Sequence, residues 1–151
     1  MAAPEGKIPL PPLLELVGEI GLRELHEGFE RAGFPGMRKA HGAVWRFVDL
    51  DNGSRLTELA ERAGLTRQAV GEVADDLERL GYLERVPDPS DGRAKLIRPT
   101  ERGRTAWRLG EEILADIERA WAERYGKRRM AMVRETLEQI LADEPPRPRR
   151  A

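Results

Sequence analysis

Residues 57–100 constrain the fold of this chain more than any other stretch, and their sequence is TELAERAGLTRQAVGEVADDLERLGYLERVPDPSDGRAKLIRPT. Two short segments of helical periodicity meet at Gly64, which ends a helix at little cost because glycine tolerates a positive φ. An apolar strand, a charged loop with proline and glycine, and a second apolar strand follow. This order of elements predicts a winged helix-turn-helix.

The second helical segment has a polar face near its amino end, and Thr66 is a suitable N-cap for it. One face is an apolar stripe, and the other carries polar residues and a glycine. The stripe consists of Ala69, Val70, Val73, Leu77 and Leu80, and the opposite face of Arg67, Gln68, Gly71, Glu72 and Asp75. In a helix-turn-helix, the amino-terminal part of the second helix enters the major groove of DNA. The alternative is a helical hairpin within a larger core, where these polar side chains contact only solvent.

The strands that follow predict a hairpin with a basic tip. Residues 82–86 alternate as a strand that two prolines end, and residues 95–98 alternate again. The tip of this hairpin carries Asp91, Arg93 and Lys95. The planar guanidinium of arginine suits phosphate or minor-groove contact, and we expect Asp91 to hold Arg93 in one pose. A surface hairpin of mixed charge without a ligand is the alternative.

Residues 56–103 resemble the MarR family of bacterial transcriptional regulators, and the segment PDPSDGRAKLIRPTERG is the most specific part of the match. The flanking helices agree with the family in layout more than in residues. The resemblance implies a homodimer that binds palindromic DNA and, in many members, releases it on binding a small molecule. Two residues depart from the family pattern: Gly92 stands where a second basic residue is frequent, and Pro99 where an aliphatic residue is common.

The composition limits the chemistry open to this chain. Its 151 residues include 26 basic and 27 acidic side chains, so a basic DNA-binding surface must be local. The absence of cysteine excludes disulfides, thiolate metal sites and thiol redox switches. His26 and His41 are too few and too far apart for a histidine metal cluster. Since the sequence also has no phosphate loop or catalytic motif, we expect neither an enzyme nor a cofactor or metal.

The length is that of a single MarR-like domain over residues 1–151. We expect dimerisation helices at about residues 8–34 and 104–142, a winged helix-turn-helix at about 36–100, and a disordered basic tail at 143–151. The fold class is therefore mostly α with a small β-hairpin wing. The terminal helices have more apolar surface than the winged part can cover, which indicates burial against a second copy. Packing within one chain is the alternative.

The periodicity outside the winged part predicts four helices. The first spans residues 12–31, and the second spans residues 35–50. A long helix begins after the N-cap Thr100 and continues to about residue 125, where Gly126 interrupts it, and a last helix continues to about residue 142.

Within the second helix, Met37, His41 and Trp45 share a face at positions i, i+4 and i+8. In MarR-like proteins the effector pocket lies between this helix, the dimer helices and the winged domain. The candidate effector-binding residues are therefore His41, Trp45 and Trp107. Methionine and tryptophan at helical spacing more often belong to a core, which favours the alternative of a packed stripe with a hydrogen-bonded histidine.

We therefore predict a sequence-specific DNA-binding transcriptional regulator, a ligand-responsive repressor that binds a palindromic operator as a homodimer. No targeting or membrane segment is evident, so we expect a cytoplasmic protein whose partners are double-stranded DNA, a second copy and a small-molecule effector. The predicted DNA-contacting residues are Thr66, Arg67, Gln68, Gly71, Glu72, Arg93 and Lys95. The alternative is a winged-helix protein-interaction module without DNA readout, which the acidic later turns of the second helix favour.

Overall fold

Six helices and one β-hairpin follow one another in the computed structural model, which describes residues 6–144. In chain order they are α1 Leu10–Arg31, α2 Lys39–Trp45, α3 Leu56–Ala63, α4 Arg67–Arg79, β1 Leu83–Asp88, β2 Asp91–Pro99, α5 Glu101–Tyr125 and α6 Lys127–Asp143. The predicted fold class, mostly α with a small β-hairpin wing, is confirmed. Residues 145–151, most of the predicted basic tail, lie outside the described residues.

The helix-turn-helix is formed as its spacing predicts. Gly64 ends α3 with a left-handed backbone, at φ +64° and ψ +33°. The side-chain oxygen of Thr66 then accepts a hydrogen bond of 3.1 Å from the backbone N–H of Ala69 and so caps α4. These two local signals fix the turn between α3 and α4.

Helix α2 is shorter than predicted. Gly36 has φ +84° and the backbone of Arg38 is extended, so α2 begins only at Lys39. After Trp45, the N–H groups of Phe47 and Val48 bond to carbonyls three residues back, which is the tighter geometry of a helix end. The prediction of a helix over residues 35–50 was therefore wrong at both ends.

The wing is more extensively paired than predicted. β1 pairs antiparallel with β2 from Leu83 opposite Pro99 to Pro87 opposite Lys95, and after an irregularity Asp88 lies opposite Asp91. The expectation that the prolines end the strand before residue 87 was wrong. β1 is an edge strand of this two-stranded sheet, where a missing N–H is tolerated. On the other side of β2, Ser54 and Ile97 exchange two backbone hydrogen bonds of 2.8 Å.

The core lies where α2, α3, α4, the wing and the start of α5 meet. Its most deeply buried side chains include Val44, Leu59, Val70, Leu77 and Tyr82. The hydroxyl of Tyr82 donates a 3.0 Å hydrogen bond to the carbonyl of Pro35, so this buried phenol is satisfied.

Three glycines allow α5 to approach its neighbours closely. A Cβ on Gly28 of α1 would lie 2.8 Å from a methyl of Ile113, and one on Gly110 of α5 would lie 3.0 Å from the ring of Phe29. A Cβ on Gly103 would overlap the carbonyl oxygen of Tyr82. Helix α5 is thus packed closely against both α1 and the start of the wing.

Large apolar side chains remain exposed on the terminal helices. They are Leu10, Leu13, Leu14, Leu16, Val17 and Ile20 on α1, Leu114 and Tyr125 on α5, and Met132, Val133, Ile140 and Leu141 on α6. Helix α6 has no buried residue of its own. Within residues 6–144, no helix has both the length and the hydropathy that crossing a membrane requires.

Candidate nucleic-acid interface

The first two turns of α4 present a polar surface to solvent. Arg67, Gln68 and Glu72 are exposed there, as is the capping residue Thr66. The amide nitrogen of Gln68 donates a 3.2 Å hydrogen bond to the carboxylate of Glu72, one turn later. The amide oxygen of Gln68 and the guanidinium of Arg67 thus stay at the surface, where they can bond to base edges.

Gly71 lies on this surface but is half-buried. A Cβ at this position would be in ordinary contact with a methyl of Leu56, at 3.7 Å. The backbone of α4 is therefore close to the start of α3 at this point. Without a side chain at Gly71, the α4 backbone is also open to close approach from outside.

The acidic charges in the later turns of α4 are paired with arginines. Arg85 of β1 reaches back to the helix, where it contacts the carboxylate of Asp75 at 2.6 Å and also that of Glu78. Since one guanidinium neutralises part of both carboxylates, this end of α4 repels a nucleic acid less than the sequence suggests. The sequence carries no local signal for this pairing, because Arg85 is in β1 and its two partners are in α4.

Asp76 accepts hydrogen bonds from three side chains. Its two oxygens accept from Arg38, from Arg79 and, at 2.7 Å, from Nε2 of His41. Bonds from Arg79, His41 and Arg38 hold the pKa of the Asp76 carboxyl well below its usual range. Asp76 is thus a carboxylate that links α4 to the beginning of α2.

Arg93 and Lys95 are both exposed near the tip of the wing. Asp91 accepts a 3.1 Å hydrogen bond from the backbone N–H of Arg93. The expectation that Asp91 fixes the guanidinium was therefore wrong, because the short aspartate side chain bonds the backbone two residues on. The turn is ordered, while the two basic side chains extend into solvent.

The turn of the wing is tied to the helix-turn-helix by an ion pair that the sequence did not reveal. Asp88 is buried, and it accepts hydrogen bonds from the hydroxyl of Ser90 at 2.7 Å, from the N–H of Ser90 at 2.8 Å and from Nε of Arg55 at 2.8 Å. Bonds from Ser90 and from Arg55 lower the pKa of Asp88 to about 2. The spacing of Asp88 and Ser90 signals a turn, but nothing local points to Arg55, the residue before α3.

The structure brings the three candidate effector residues near one another within the core. His41 and Trp45 are buried, and the ring of Trp45 stacks on that of half-buried Trp107 at 6.0 Å between centroids. Trp45 also meets Tyr82 edge-on at 6.2 Å. A shallow cavity of about 360 Å³ lies elsewhere, between α1 and α2, and is lined by Glu19, Leu22, Arg23, His26, Glu27, Glu30 and Lys39.

One protein-family profile is similar to the winged part of the chain. The sequence profile of the MarR family matches residues 46–94, from the end of α2 into β2. No curated protein sequence matches the chain.

Solved structures match nearly the whole chain. The apo form of wild-type MarR from E. coli has a TM-score of 0.68 at 21% identity and covers 90% of this chain and 99% of its own. A MarR-family transcriptional regulator from Rhodococcus sp. has a TM-score of 0.64 at 23% identity, covering 89% and 92%. A mutant of MepR from S. aureus, solved bound to an oligodeoxyribonucleotide, has a TM-score of 0.60 at 16% identity, covering 91% and 99%. At these identities the likeness is one of fold.

Proposed function

We propose that this chain is a MarR-family protein and a sequence-specific DNA-binding transcriptional regulator in the cytoplasm. In this proposal it is a ligand-responsive repressor that binds a palindromic operator as a homodimer, and it has no catalytic activity. The observation that carries the proposal is the exposed polar surface on the first two turns of α4, followed by acidic turns whose charges are already paired. The DNA-bound structure of MepR, which shares the fold, supports it.

The two elements take different parts in this proposal. Arg67 and Gln68 of α4 contact base edges in the major groove, where arginine pairs with guanine and an amide pairs with adenine. Thr66, Gly71 and Glu72 complete that surface of the helix. Arg93 and Lys95 of the wing contact phosphates, or the minor groove where it is narrow.

The exposed apolar side chains of α1, α5 and α6 support the homodimer. Monomeric proteins rarely expose large contiguous apolar patches, and burial against a second copy by a two-fold axis removes them from water. A two-fold dimer also presents two α4 helices to successive major grooves, about 34 to 36 Å apart.

An effector site remains a prediction, with His41, Trp45 and Trp107 as its candidate residues. Because His41 is buried and bonded to Asp76, a ligand that bonds to Nε2 of its ring must displace that hydrogen bond. Such a ligand would act on α4 directly, which is how effector binding could release DNA.

The decisive experiment is selection of DNA by the purified full-length chain from a library of random duplexes, with light scattering on the same sample. We expect an inverted repeat with half-sites about one helical turn apart, bound by a dimer. A monomer at micromolar concentration would contradict the homodimer. Absence of any enriched sequence at low salt would contradict DNA readout and leave the protein-interaction module as the better proposal.

A further inference from the structure

We propose that His41 is a positioning residue for DNA readout: through Asp76 it joins the start of α2 to the middle of α4 and fixes the orientation of α4. This inference rests on the function proposed above. It gives His41 a role without an effector and without direct contact with DNA.

The protonation of the His41 ring follows from its neighbours. Nδ1 lies 3.1 Å from the backbone N–H of Arg38, which can only donate, so Nδ1 is an acceptor and carries no proton. The proton of the neutral ring is therefore on Nε2, which donates to the carboxylate of Asp76 at 2.7 Å. Nη2 of Arg38 lies 3.4 Å from the same Nε2, but since both groups are donors, both point to Asp76.

Among the three side chains that bond to Asp76, His41 is the buried one. The side chain of His41 is 2% exposed, whereas those of Arg38 and Arg79 are 65% and 70% exposed. Exposed ion pairs contribute little to structure, because water screens them and their long side chains are free to move. A packed imidazole has one orientation, so the N–H of His41 Nε2 points in one fixed direction, toward Asp76.

The contacts of α4 with the core are apolar, and its other polar contacts, from Arg85 and Arg38, are made by long side chains. Val70, Ala74 and Leu77 are its buried residues. Apolar contacts hold a helix against a core, but they depend on area and are tolerant of small rotations. A short hydrogen bond weakens steeply when its angle changes. The bond between His41 and Asp76 therefore restricts rotation of α4, and with it the aim of Gln68 at a base edge.

Two substitutions of His41 separate this role from local capping of α2. The amide nitrogen of His41→Gln reaches the position of Nε2 and can still donate to Asp76. The shorter amide of His41→Asn can still accept from the Arg38 N–H, but it does not reach Asp76. Both variants are neutral and polar at a buried site, so each serves as the control for the other.

We expect His41→Asn to weaken binding to the selected operator about tenfold, which is 1.4 kcal/mol, while binding to random duplex stays within about twofold. His41→Gln should remain within about threefold of the unsubstituted chain on both. Fluorescence anisotropy gives the affinities, and circular dichroism with light scattering verifies fold and assembly. Equal operator affinity of all three proteins would overturn the inference, as would parallel loss of operator and random binding in both variants.

Two further measurements keep the inference testable. If His41→Asn does not fold, Asp76→Ala removes the same contact together with the bonds from Arg38 and Arg79, and it leaves the bond from the Arg38 N–H to His41 in place. It should show the same selective loss. Nitrogen chemical shifts of the His41 ring should report a proton on Nε2, and a proton on Nδ1 would overturn the assignment whatever the DNA result. If the unsubstituted chain selects no DNA, the proposed function fails, and this inference fails with it.

Discussion

Helix α4 and the wing present their polar side chains in opposite ways. The later part of α4 is fixed from two sides. Arg85 of the wing contacts it on one side, and Arg38, just before α2, and His41, within α2, contact it on the other. The wing is held at its turn by the ion pair of Arg55 with Asp88, whereas the side chains of Arg93 and Lys95 are exposed to solvent. A fixed helix suits contacts to bases, which require defined geometry, and exposed basic side chains suit phosphates, which accept bonds from many directions.

The largest effect on DNA binding is expected for Gln68→Ala on α4. If Gln68 makes a bidentate contact to a base, operator binding should weaken by roughly 1–3 kcal/mol while binding to random duplex changes little. Titrations with both duplexes measure the difference. Gln139→Ala, which removes an exposed glutamine from α6, is the matched control. Equal weakening on both duplexes would mean that Gln68 does not read sequence.

A smaller effect, of a different kind, is expected for Arg93→Ala in the wing. If this side chain neutralises one phosphate, operator and random duplex should lose affinity similarly, and the slope of log K against log salt should become shallower by about 0.9. Arg98→Ala is the control, since Arg98 is on the same strand but pairs with Glu84 at 2.8 Å. A loss confined to AT-rich flanks would instead indicate minor-groove contact.

The anchor of the wing should be sensitive to acid. The folded pKa of Asp88, about 2, is below its ordinary value of 3.8, so its carboxylate stabilises the fold above about pH 4 and loses that effect as the pH falls toward 2. Asp88→Asn should therefore lower the Tm by a few degrees at neutral pH, and the gap should close in acid. Circular dichroism melts across pH measure it, with Asp91→Asn at the exposed tip as control. A gap that does not change with pH would contradict a charge-based anchor.

Protonation of buried His41 should destabilise the fold at a higher pH than protonation of Asp88 does, with the smallest expected effect. Burial lowers the pKa of His41 more than the bond to Asp76 raises it, while Arg38 and Arg79 add to the lowering. Below about pH 6.5 the unfolded chain then binds more protons than the folded one, so stability falls as the pH falls. The Tm should drop more for the unsubstituted chain than for His41→Gln between about pH 7.5 and 5.5. His26 of α1 also has a lowered pKa, but it is present in both proteins. Equal drops would show that His41 does not titrate in this way.

Local signals were enough to predict much of the fold and the exposed face of α4. Thr66 and Thr100 cap α4 and α5 as expected, with bonds of 3.1 and 3.0 Å to N–H groups three residues on. Gly64 and Gly126 have the positive φ that their positions between helices suggested. Each of these features depends on residues a few positions apart, where the geometry of a helix end relates spacing to contact.

The contacts that orient the candidate site could not be predicted in this way. Arg55 and Asp88 are 33 positions apart, and His41 and Asp76 are 35 apart. Which arginine reaches which carboxylate depends on how the elements pack, and this chain has many of both. The sequence therefore shows only that the later turns of α4 are acidic, and the structure shows Asp75, Asp76 and Glu78 paired.

Because Gly103 has no side chain, the start of α5 packs directly on the backbone of Tyr82, the residue before β1, so α5 and the wing are rigidly connected. Thr100 donates its N–H to the carbonyl of Tyr82 at 3.1 Å and its hydroxyl to that of Gly81 at 2.6 Å, one turn before α5 passes over the same backbone. A tilt of α5 would thus move the wing in the same direction. In the proposed dimer, which is held by its terminal helices, a small change of angle between the two copies would therefore displace both wings. Neither wing would need to bend.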